Sequence, residues 1–278
     1  MSLTRPLISL LGLFINRFPR ITTICRKIRD KLDFIKKPIV TPWKFKLAGN
    51  TIMAQGIFEP VETSIVRDIL EDVDVLVNVG ANIGYYCCHA LDMGKHVIAF
   101  EPIQRNLRYL CRNIKINGWT TNAEIYPIAL SNSIGVLEIY GGNTSASIVK
   151  GWADIPESYV TLVPSSTLDI VLGTRLQGKK LLIIVDVEGA EKLILEGATK
   201  ILANNPKPVW LMEISITEHQ PQGVVINPHI ADTFKYMFEA GYRAFTANKE
   251  MRLVSMSHVE AAQKGDTSVF ETHNFLFR

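Results

Sequence analysis

The chain has 278 residues, of which 47% are hydrophobic and 21% charged, and its formal net charge is +3. This composition is typical of a globular protein and excludes a largely disordered chain. The charge is unevenly distributed, because residues 1–46 carry eleven basic and two acidic side chains while the remainder is mildly acidic. We therefore expect a basic N-terminal arm over residues 1–50 and a folded domain over residues 51–278, with different partners.

The arm combines its cations with apolar residues at three- and four-residue intervals, which is typical of an amphipathic helix. Two interpretations stay open: the apolar stripe packs on the domain, or the helix lies on an anionic membrane surface. The apolar run at residues 7–15 resembles a signal peptide, but no small-residue cleavage site follows it. The cysteines show no C-x-x-C spacing. These features predict a cytoplasmic protein whose arm allows peripheral contact with the inner face of a membrane.

From residue 73 onward the pattern alternates between strand and helix. Helical patterns separate the apolar runs: one follows Gly80 and extends to about residue 92, and the others lie at residues 106–117, 189–202 and 229–240. Residues 141–166 are predicted to be a long loop that forms either a sugar-binding wall or a surface insertion. Such alternation predicts an α/β fold with a mostly parallel sheet covered by helices on both faces. The predicted strands are residues 73–79, 96–100, 124–130, 136–140, 181–187, 209–214, 242–246 and 274–277.

A glycine-rich turn follows the first of these strands and precedes a helix. Gly80 and Gly84 have G-x-x-x-G spacing, which differs from the dinucleotide pattern, although glycine still permits a sharp turn and the helix N-terminus offers N–H groups. Glu101 ends the next strand, about 20 residues after Gly80, where an acidic group can accept both hydroxyls of a ribose. Together the turn and Glu101 predict a nucleoside site.

Carboxylates also end two later strands that are otherwise apolar. Asp186 and Glu188 close the strand at 181–187, and Glu213 closes the strand at 209–214. Ligands of open α/β sheets bind at the carboxyl ends of strands, so these groups are candidate site residues. Asp186 and Glu188 share a pocket only if the chain turns between them, which Gly189 allows. Their oxygens suit Mg²⁺, but the spacing is not that of a known metal site, and we assign no metal.

Eight motifs occur in the order seen in the FkbM methyltransferases, which the chain resembles from about residue 58 to residue 277. The resemblance implies a class I methyltransferase Rossmann-like fold, with a seven-stranded, mostly parallel sheet whose last strand is antiparallel. It also implies S-adenosylmethionine as the cofactor, bound at the carboxyl edge of the sheet, and it leaves the basic arm outside. The motifs are FEPVET, NVGANIGYY, FEP, IALSN, STLD, DVEGAEKLILEGA, LMEI and HNFLF.

The resemblance implies roles for eight residues. The turn contacts the amino-acid part of the cofactor, Glu101 holds the ribose, and the adenine lies near Ala129 and Leu130. The family usually has Asp at position 78, so we expect weaker cofactor binding by Asn78, whose oxygen still accepts a hydrogen bond. The turn residues in question are Asn78, Gly80, Ala81, Asn82 and Gly84.

Members of this family mostly methylate hydroxyl groups of sugars or of other complex metabolites. The resemblance therefore implies an O-methyltransferase acting on a sugar hydroxyl of a glycan or lipid-linked saccharide, within polysaccharide biosynthesis. A hydroxyl acceptor needs a base that removes its proton, and the candidates are Asp186, Glu213 and His219. The alternatives are a methyltransferase of a small secondary metabolite and a catalytically weak nucleoside-binding module. Nucleic acid is not an expected partner, because the domain is acidic.

Overall fold

The computed structural model describes residues 29–142 and 145–278. Residues 1–28, which carry most of the predicted basic arm, lie outside the described residues, so the helix predicted there stays a prediction. Contacts divide the chain into two units, Met1–Pro38 and Ile39–Arg278. The predicted domain boundary after residue 50 falls inside the second unit.

The second unit contains thirteen short strands and nine α-helices among its described residues. The strands are β1 (Ile39–Val40), β2 (Lys46–Leu47), β3 (Val75–Val79), β4 (His96–Phe100), β5 (Ala123–Tyr126), β6 (Ala129–Leu130), β7 (Gly135–Tyr140), β8 (Val160–Ser166), β9 (Leu181–Val185), β10 (Val209–Glu213), β11 (Ala244–Thr246), β12 (Leu253–Val254) and β13 (Asn274–Phe277). The helices are α1 (Thr51–Ala54), α2 (Pro60–Asp72), α3 (Tyr85–Asp92), α4 (Gln104–Ile116), α5 (Leu168–Leu172), α6 (Glu191–Glu196), α7 (Thr199–Leu202), α8 (Ile230–Glu239) and α9 (Met256–Gln263).

Eight of these strands form the central sheet, in the order β12-β11-β13-β10-β9-β3-β4-β5. The five strands β10, β9, β3, β4 and β5 are parallel to one another. In contrast, β13 is antiparallel to both β10 and β11. The predicted mostly parallel sheet with an antiparallel last strand is therefore confirmed. It has eight strands, one more than predicted, because the two-residue β12 pairs with β11 at the edge.

Alternate residues of the central strands enter two different cores. Val77 and Ile183 pack on one face of the sheet, whereas Leu76 and Leu182 pack on the other. This follows from the two-residue period of a strand, and helices cover both faces. Burial of such side chains contributes about 1.5–3 kcal/mol each, which fixes the register of the strands that carry the site.

Two predicted elements are interrupted in the structure. The strand predicted at 124–130 is split into β5 and β6, because Pro127 has no N–H to donate to a ladder. The helix predicted at 189–202 is split into α6 and α7 at Gly197, where a Cβ would lie 2.2 Å from the carbonyl oxygen of Ser131. No side chain fits at position 197, and the glycine lets the loop after β6 pack directly against the backbone between α6 and α7.

The predicted loop at 141–166 contains a strand that the sequence does not reveal. β8 pairs with β7 and with β6, and the three form a small separate sheet. The prediction of a loop was wrong over residues 160–166, since Pro164 and several exposed residues obscure the strand pattern.

Residues 46–48, near the start of the second unit, are joined to α4 through their backbone. The amide group of Asn113 accepts the N–H of Ala48 at 2.8 Å and donates to the carbonyl oxygens of Ala48 and Ile83. Leu47 is fully buried beside this contact. In the part of the chain that the structure describes, no helix is both long and apolar enough to cross a membrane.

Candidate functional site

Two cavities open at the edge where the carboxyl ends of the parallel strands meet. The first, of about 620 Å³, contains Glu101 in its wall, and we name it the Glu101 cavity. The second, of about 1040 Å³, contains Glu213 in its wall, and we name it the Glu213 cavity. Four residues line both cavities and mark the junction between them: Gly80, Asn82, Asp186 and Glu188.

Glu101 connects the end of β4 to the glycine turn. Its Oε2 accepts the N–H of Asn82 at 2.7 Å, and its Oε1 accepts the N–H of Ile103 at 2.8 Å. Burial raises the pKa of Glu101 to about 7, although both hydrogen bonds act to lower it. The side chain of Asn106 also forms a hydrogen bond with Glu101. A carboxylate has about four lone-pair positions, so Glu101 can still accept a hydrogen bond from a bound ligand.

Gly80 makes the closest backbone approach in the site. Its φ is +81°, and a Cβ at this position would lie 1.8 Å from the carbonyl oxygen of Asp186. The N–H groups of Gly80 and Ala81 donate to the carbonyl oxygen of Phe100 at 3.0 and 2.9 Å. These two N–H groups are therefore not free to bind a ligand. What Gly80 contributes is the close approach of the turn to the backbone of Asp186.

Gly84 has a different surrounding from Gly80. It caps α3 with a φ of +85°, and a Cβ there would lie 2.4 Å from Cδ1 of Leu110 on α4. Gly84 lines neither of the two cavities. Although the sequence predicts Gly84 as a cofactor-binding residue, its glycine is required here for the packing of α4 against the turn.

Two amide side chains near the turn have an acceptor without a partner. Asn78 is 3% exposed and lines the Glu213 cavity; its Nδ2 donates to Sγ of Cys87 at 3.4 Å, and no described residue donates to its Oδ1. Burial raises the pKa of the Cys87 thiol to about 12, so the thiol is neutral. The buried Oδ1 of Asn82 likewise has no partner among the described residues. Both oxygens are available to a ligand that carries N–H or O–H groups.

The remaining residues that are predicted to bind the cofactor each line one of the two cavities. Ala129 and Leu130 form β6 and line the Glu101 cavity beside Ile128, where they give one wall an apolar character suited to a flat ring. Ala81 lines the Glu213 cavity.

The carboxyls of Asp186 and Glu188 face the same cavities because the chain turns after β9. Glu188 has a φ of +56° and Gly189 a φ of +95°, so the alternation of a strand ends at Val185. Burial, followed by the neighbouring carboxyls of Glu213 and Glu188, raises the pKa of Asp186 well above its usual range. The sequence analysis required a turn for Asp186 and Glu188 to share a pocket, and the structure contains this turn.

Glu213 and His219 reach only the second cavity. Burial and the nearby carboxyl of Glu188 raise the pKa of Glu213 to about 8. Nε2 of His273 lies 3.6 Å from Oε1 of Glu213. His219 is exposed, has a φ of +62°, and accepts the N–H of Ala153 at 2.8 Å through its carbonyl oxygen.

The segment after β7 forms a wall against Glu188. Nε1 of Trp152 donates to Oε2 of Glu188 at 2.7 Å, and Oγ of Ser147 donates to the carbonyl oxygen of the same residue at 2.5 Å. A Cβ on Gly189 would lie 2.7 Å from the Trp152 ring, so glycine lets the ring pack there. The wall therefore fixes the position of one junction carboxyl.

Sequence reasoning missed one acidic residue of the site. Glu59, which precedes α2, lines the Glu213 cavity, and its Oε2 accepts the hydroxyl of Tyr86 at 2.6 Å. Burial raises the pKa of Glu59. The sequence contained a signal for Glu59, since this residue lies within the FEPVET motif. The search for site residues considered only the carboxyl ends of strands, whereas Glu59 lies at the start of a helix. Over residues 29–142 and 145–278, no group of three or more His, Cys, Asp or Glu side chains is arranged to hold a metal ion.

Residues 78–244 match the sequence profile of the Methyltransferase FkbM domain. No curated protein sequence matches the chain. The solved structures that it resembles include a methyltransferase FkbM from Methylobacillus flagellatus KT, with 14% identity, a TM-score of 0.43, and coverage of 83% of this chain and 56% of that one. The chain thus spans about half the length of that protein.

Two further solved structures resemble the chain. A precorrin-6y C5,15-methyltransferase from Geobacter metallireducens GS-15 has 12% identity and a TM-score of 0.42, and the match covers 87% of this chain and 97% of that one. A tRNA (uracil-54, C5)-methyltransferase from Pyrococcus abyssi, in complex with S-adenosyl-L-homocysteine, has 12% identity and a TM-score of 0.36, with coverage of 78% and 37%.

Proposed function

Because this chain belongs to the FkbM methyltransferase family, we propose that it transfers the methyl group of S-adenosylmethionine to a hydroxyl group of a saccharide, within a glycan or a lipid-linked saccharide. The observation that carries the proposal is the junction of two cavities at Gly80, Asn82, Asp186 and Glu188. A transferase needs two adjoining sites, because the reacting atoms of cofactor and acceptor must come within contact distance.

The Glu101 cavity suits the nucleoside part of the cofactor. S-adenosylmethionine supplies a methyl group that is activated by the positive charge on its sulfur. Glu101 is the residue that would accept the ribose hydroxyls, and Ala129 and Leu130 would contact the adenine. The unpartnered oxygens of Asn78 and Asn82 fit the N–H and O–H groups of the remaining parts.

We assign the base to Asp186, since it lines both cavities whereas Glu213 and His219 line only one. The acceptor oxygen would form a bond to the methyl carbon as the bond from that carbon to the sulfonium sulfur breaks, and S-adenosylhomocysteine would leave. The Asp186 carboxylate would accept the proton that the hydroxyl loses. A carboxylate with a raised pKa is a stronger base than an exposed one, which suits the removal of a hydroxyl proton.

Cofactor binding is tested by calorimetric titration with S-adenosylhomocysteine. We expect binding by the native protein, and at least about tenfold weaker binding by Glu101→Gln, because the amide loses a charged acceptor. Glu260→Gln, an exposed change on α9, is the matched control and should bind normally. No binding by the native protein would disprove the proposed function.

Acceptor chemistry is tested by transfer of a labelled methyl group to a panel of saccharides. Each saccharide is offered with its hydroxyls free and with the same hydroxyls acetylated, and we expect label only in the free form. Asp186→Asn should lower kcat about 10²–10⁴-fold. Equal labelling of both forms would exclude a hydroxyl acceptor.

A further inference from the structure

The two cavities meet at a group of carboxyls, and the cofactor and its product differ by one charge. S-adenosylmethionine has a positively charged sulfur, whereas the sulfur of S-adenosylhomocysteine is neutral. We propose that the carboxyl groups of Asp186, Glu188 and Glu213 select the charged cofactor over its neutral product, so that the protein binds S-adenosylmethionine more tightly. This inference rests on the proposed function, in which the cofactor spans both cavities.

The covalent structure of the cofactor connects its charge to the junction. The Glu101 cavity contains the groups suited to the nucleoside, and Asn78, in the Glu213 cavity, offers an acceptor suited to the ammonium of the amino-acid part. The sulfur links these two parts, so it belongs at the junction of the cavities. Of the four residues that line both cavities, Asp186 and Glu188 carry carboxyls.

The charge of the Glu213 cavity is one-sided. Four carboxyls line it, and among its described lining residues the only basic side chain is that of His219. Like charges in one cavity repel one another, and a cation between them relieves that repulsion. The neutral product gives no such relief. The carboxyls are those of Glu59, Asp186, Glu188 and Glu213.

A separate observation indicates that this cavity receives a polar, donor-bearing group. Asn78 is almost completely buried, yet no described residue donates to its Oδ1, which belongs to the cavity wall. Because no described residue donates to this oxygen, it can accept a hydrogen bond from a bound ligand. The ammonium of the cofactor is such a donor, and it is common to cofactor and product. The hydrogen bond to Asn78 therefore does not distinguish the two ligands, and the difference in affinity depends on the carboxyls.

The same carboxyls give the selection a pH dependence. Burial and the neighbouring carboxyls raise the pKa of Glu213 to about 8, so most of the ligand-free protein holds a proton on Glu213 at pH 7. The same causes raise the pKa of Asp186 well above its usual range. A bound sulfonium favours the ionised form and lowers both pKa values, which releases protons to the solvent. The other titratable groups near them are Glu59, Glu188, Glu191, Glu218, His219 and His273.

Calorimetric titration of the native protein with each ligand measures this selection directly. At pH 7 we expect S-adenosylmethionine to bind about tenfold more tightly than S-adenosylhomocysteine. Titration in two buffers of different ionisation enthalpy should show more protons released by the charged ligand. Sinefungin, which has a protonated amine in place of the methyl sulfonium and cannot transfer a methyl group, should behave like the cofactor.

Variants identify the groups responsible. Glu213→Gln and Glu188→Gln should each reduce the affinity ratio of S-adenosylmethionine to S-adenosylhomocysteine and leave the affinity for the product nearly unchanged, whereas Glu260→Gln should keep the native ratio. Equal or tighter binding of the product by the native protein would overturn the inference, and so would an unchanged ratio in both pocket variants. In either case the proposed function stands; if neither ligand binds, the proposed function itself fails.

Discussion

Gly80 shows how one residue can set the geometry of the whole site. Its missing side chain lets β3 and the residue after β9 approach so closely that a Cβ would overlap the Asp186 carbonyl oxygen. Gly94 provides a matched comparison, since its φ of +74° is similar but nothing lies within 4 Å of its Cβ position.

We expect Gly80→Ala to destabilise the protein more than Gly94→Ala and to abolish binding of S-adenosylhomocysteine. Gly94→Ala adds only the cost of a left-handed backbone, about 1–2 kcal/mol, whereas Gly80→Ala adds a steric overlap that moves Asp186. Denaturant unfolding and calorimetric titration measure the two effects. Equal losses of stability with intact binding in both variants would show that the close approach is dispensable.

The two glycines of the motif also show what a sequence can reveal at the residue scale. Both were predictable as turn residues that require glycine. Their different surroundings were not, because the side chain that excludes a Cβ at Gly84 belongs to Leu110 on another helix. Spacing identifies positions where the chain needs glycine, but only the packed structure shows whether a ligand or a side chain occupies the space.

At the scale of elements, the wall formed by residues 145–159 is the part of the site that sequence patterns describe least well. Four residues around Trp152 have a positive φ without being glycine: Ala153, Asp154, Glu188 and His219. Such backbone conformations cost about 1–2 kcal/mol each, so contacts of the wall must hold them in place. Two such contacts are the hydrogen bond from the Trp152 indole to Glu188 and the hydrogen bond from the N–H of Ala153 to the carbonyl oxygen of His219.

We expect Trp152→Phe to loosen this wall while leaving the central sheet intact. The variant keeps most of the ring but loses the donor to Glu188, and a hydrogen bond to a charged group contributes about 1.5–3 kcal/mol. Amide hydrogen exchange of Ala153 should become at least about tenfold faster. Trp119→Phe is the control, since Nε1 of Trp119 has no acceptor among the described residues. Unchanged exchange at Ala153 would mean that other contacts hold the wall.

At the scale of the whole molecule, buried acids determine how stability changes with pH. The pKa values of Glu101 and Glu191 are raised to about 7 and that of Glu213 to about 8, in each case mainly by burial. The folded protein therefore binds more protons than the unfolded chain above the ordinary glutamate pKa of 4.5. His89 acts in the opposite direction but at lower pH, because burial lowers its pKa to about 3.

We expect the free energy of unfolding of the ligand-free protein to fall as pH rises from 6.5 to 8, the interval between the ordinary pKa of histidine and the raised pKa of Glu213. A carboxyl with a raised pKa stabilises the fold while protonated, and this contribution is lost as pH passes its folded-state pKa. The slope is up to about 1.4 kcal/mol per pH unit for each such group. Denaturant unfolding across this range should show a smaller fall for Glu213→Gln than for the native protein. A stability that increases over the interval would contradict the assignment.

The mostly parallel sheet was predictable from the sequence, because apolar runs alternate with helical patterns, and the resemblance to the family implied the antiparallel last strand. The residue at which the folded unit begins was harder to predict from the sequence. The arm was predicted to extend to residue 50, whereas the compact unit begins at Ile39. β1 and β2 contain two residues each, too few to show a period, and their contact depends on the distant side chain of Asn113.

The central position of β13 has a consequence for the synthesis of the protein. β13 lies between β10 and β11, although both of those strands leave the ribosome before it does. A nascent chain that ends before Asn274 therefore leaves the backbone of β10 at Leu211 and Met212 without its partner strand. An open strand edge is a template for pairing with other chains, so we expect chains truncated before β13 to aggregate more readily than the full chain.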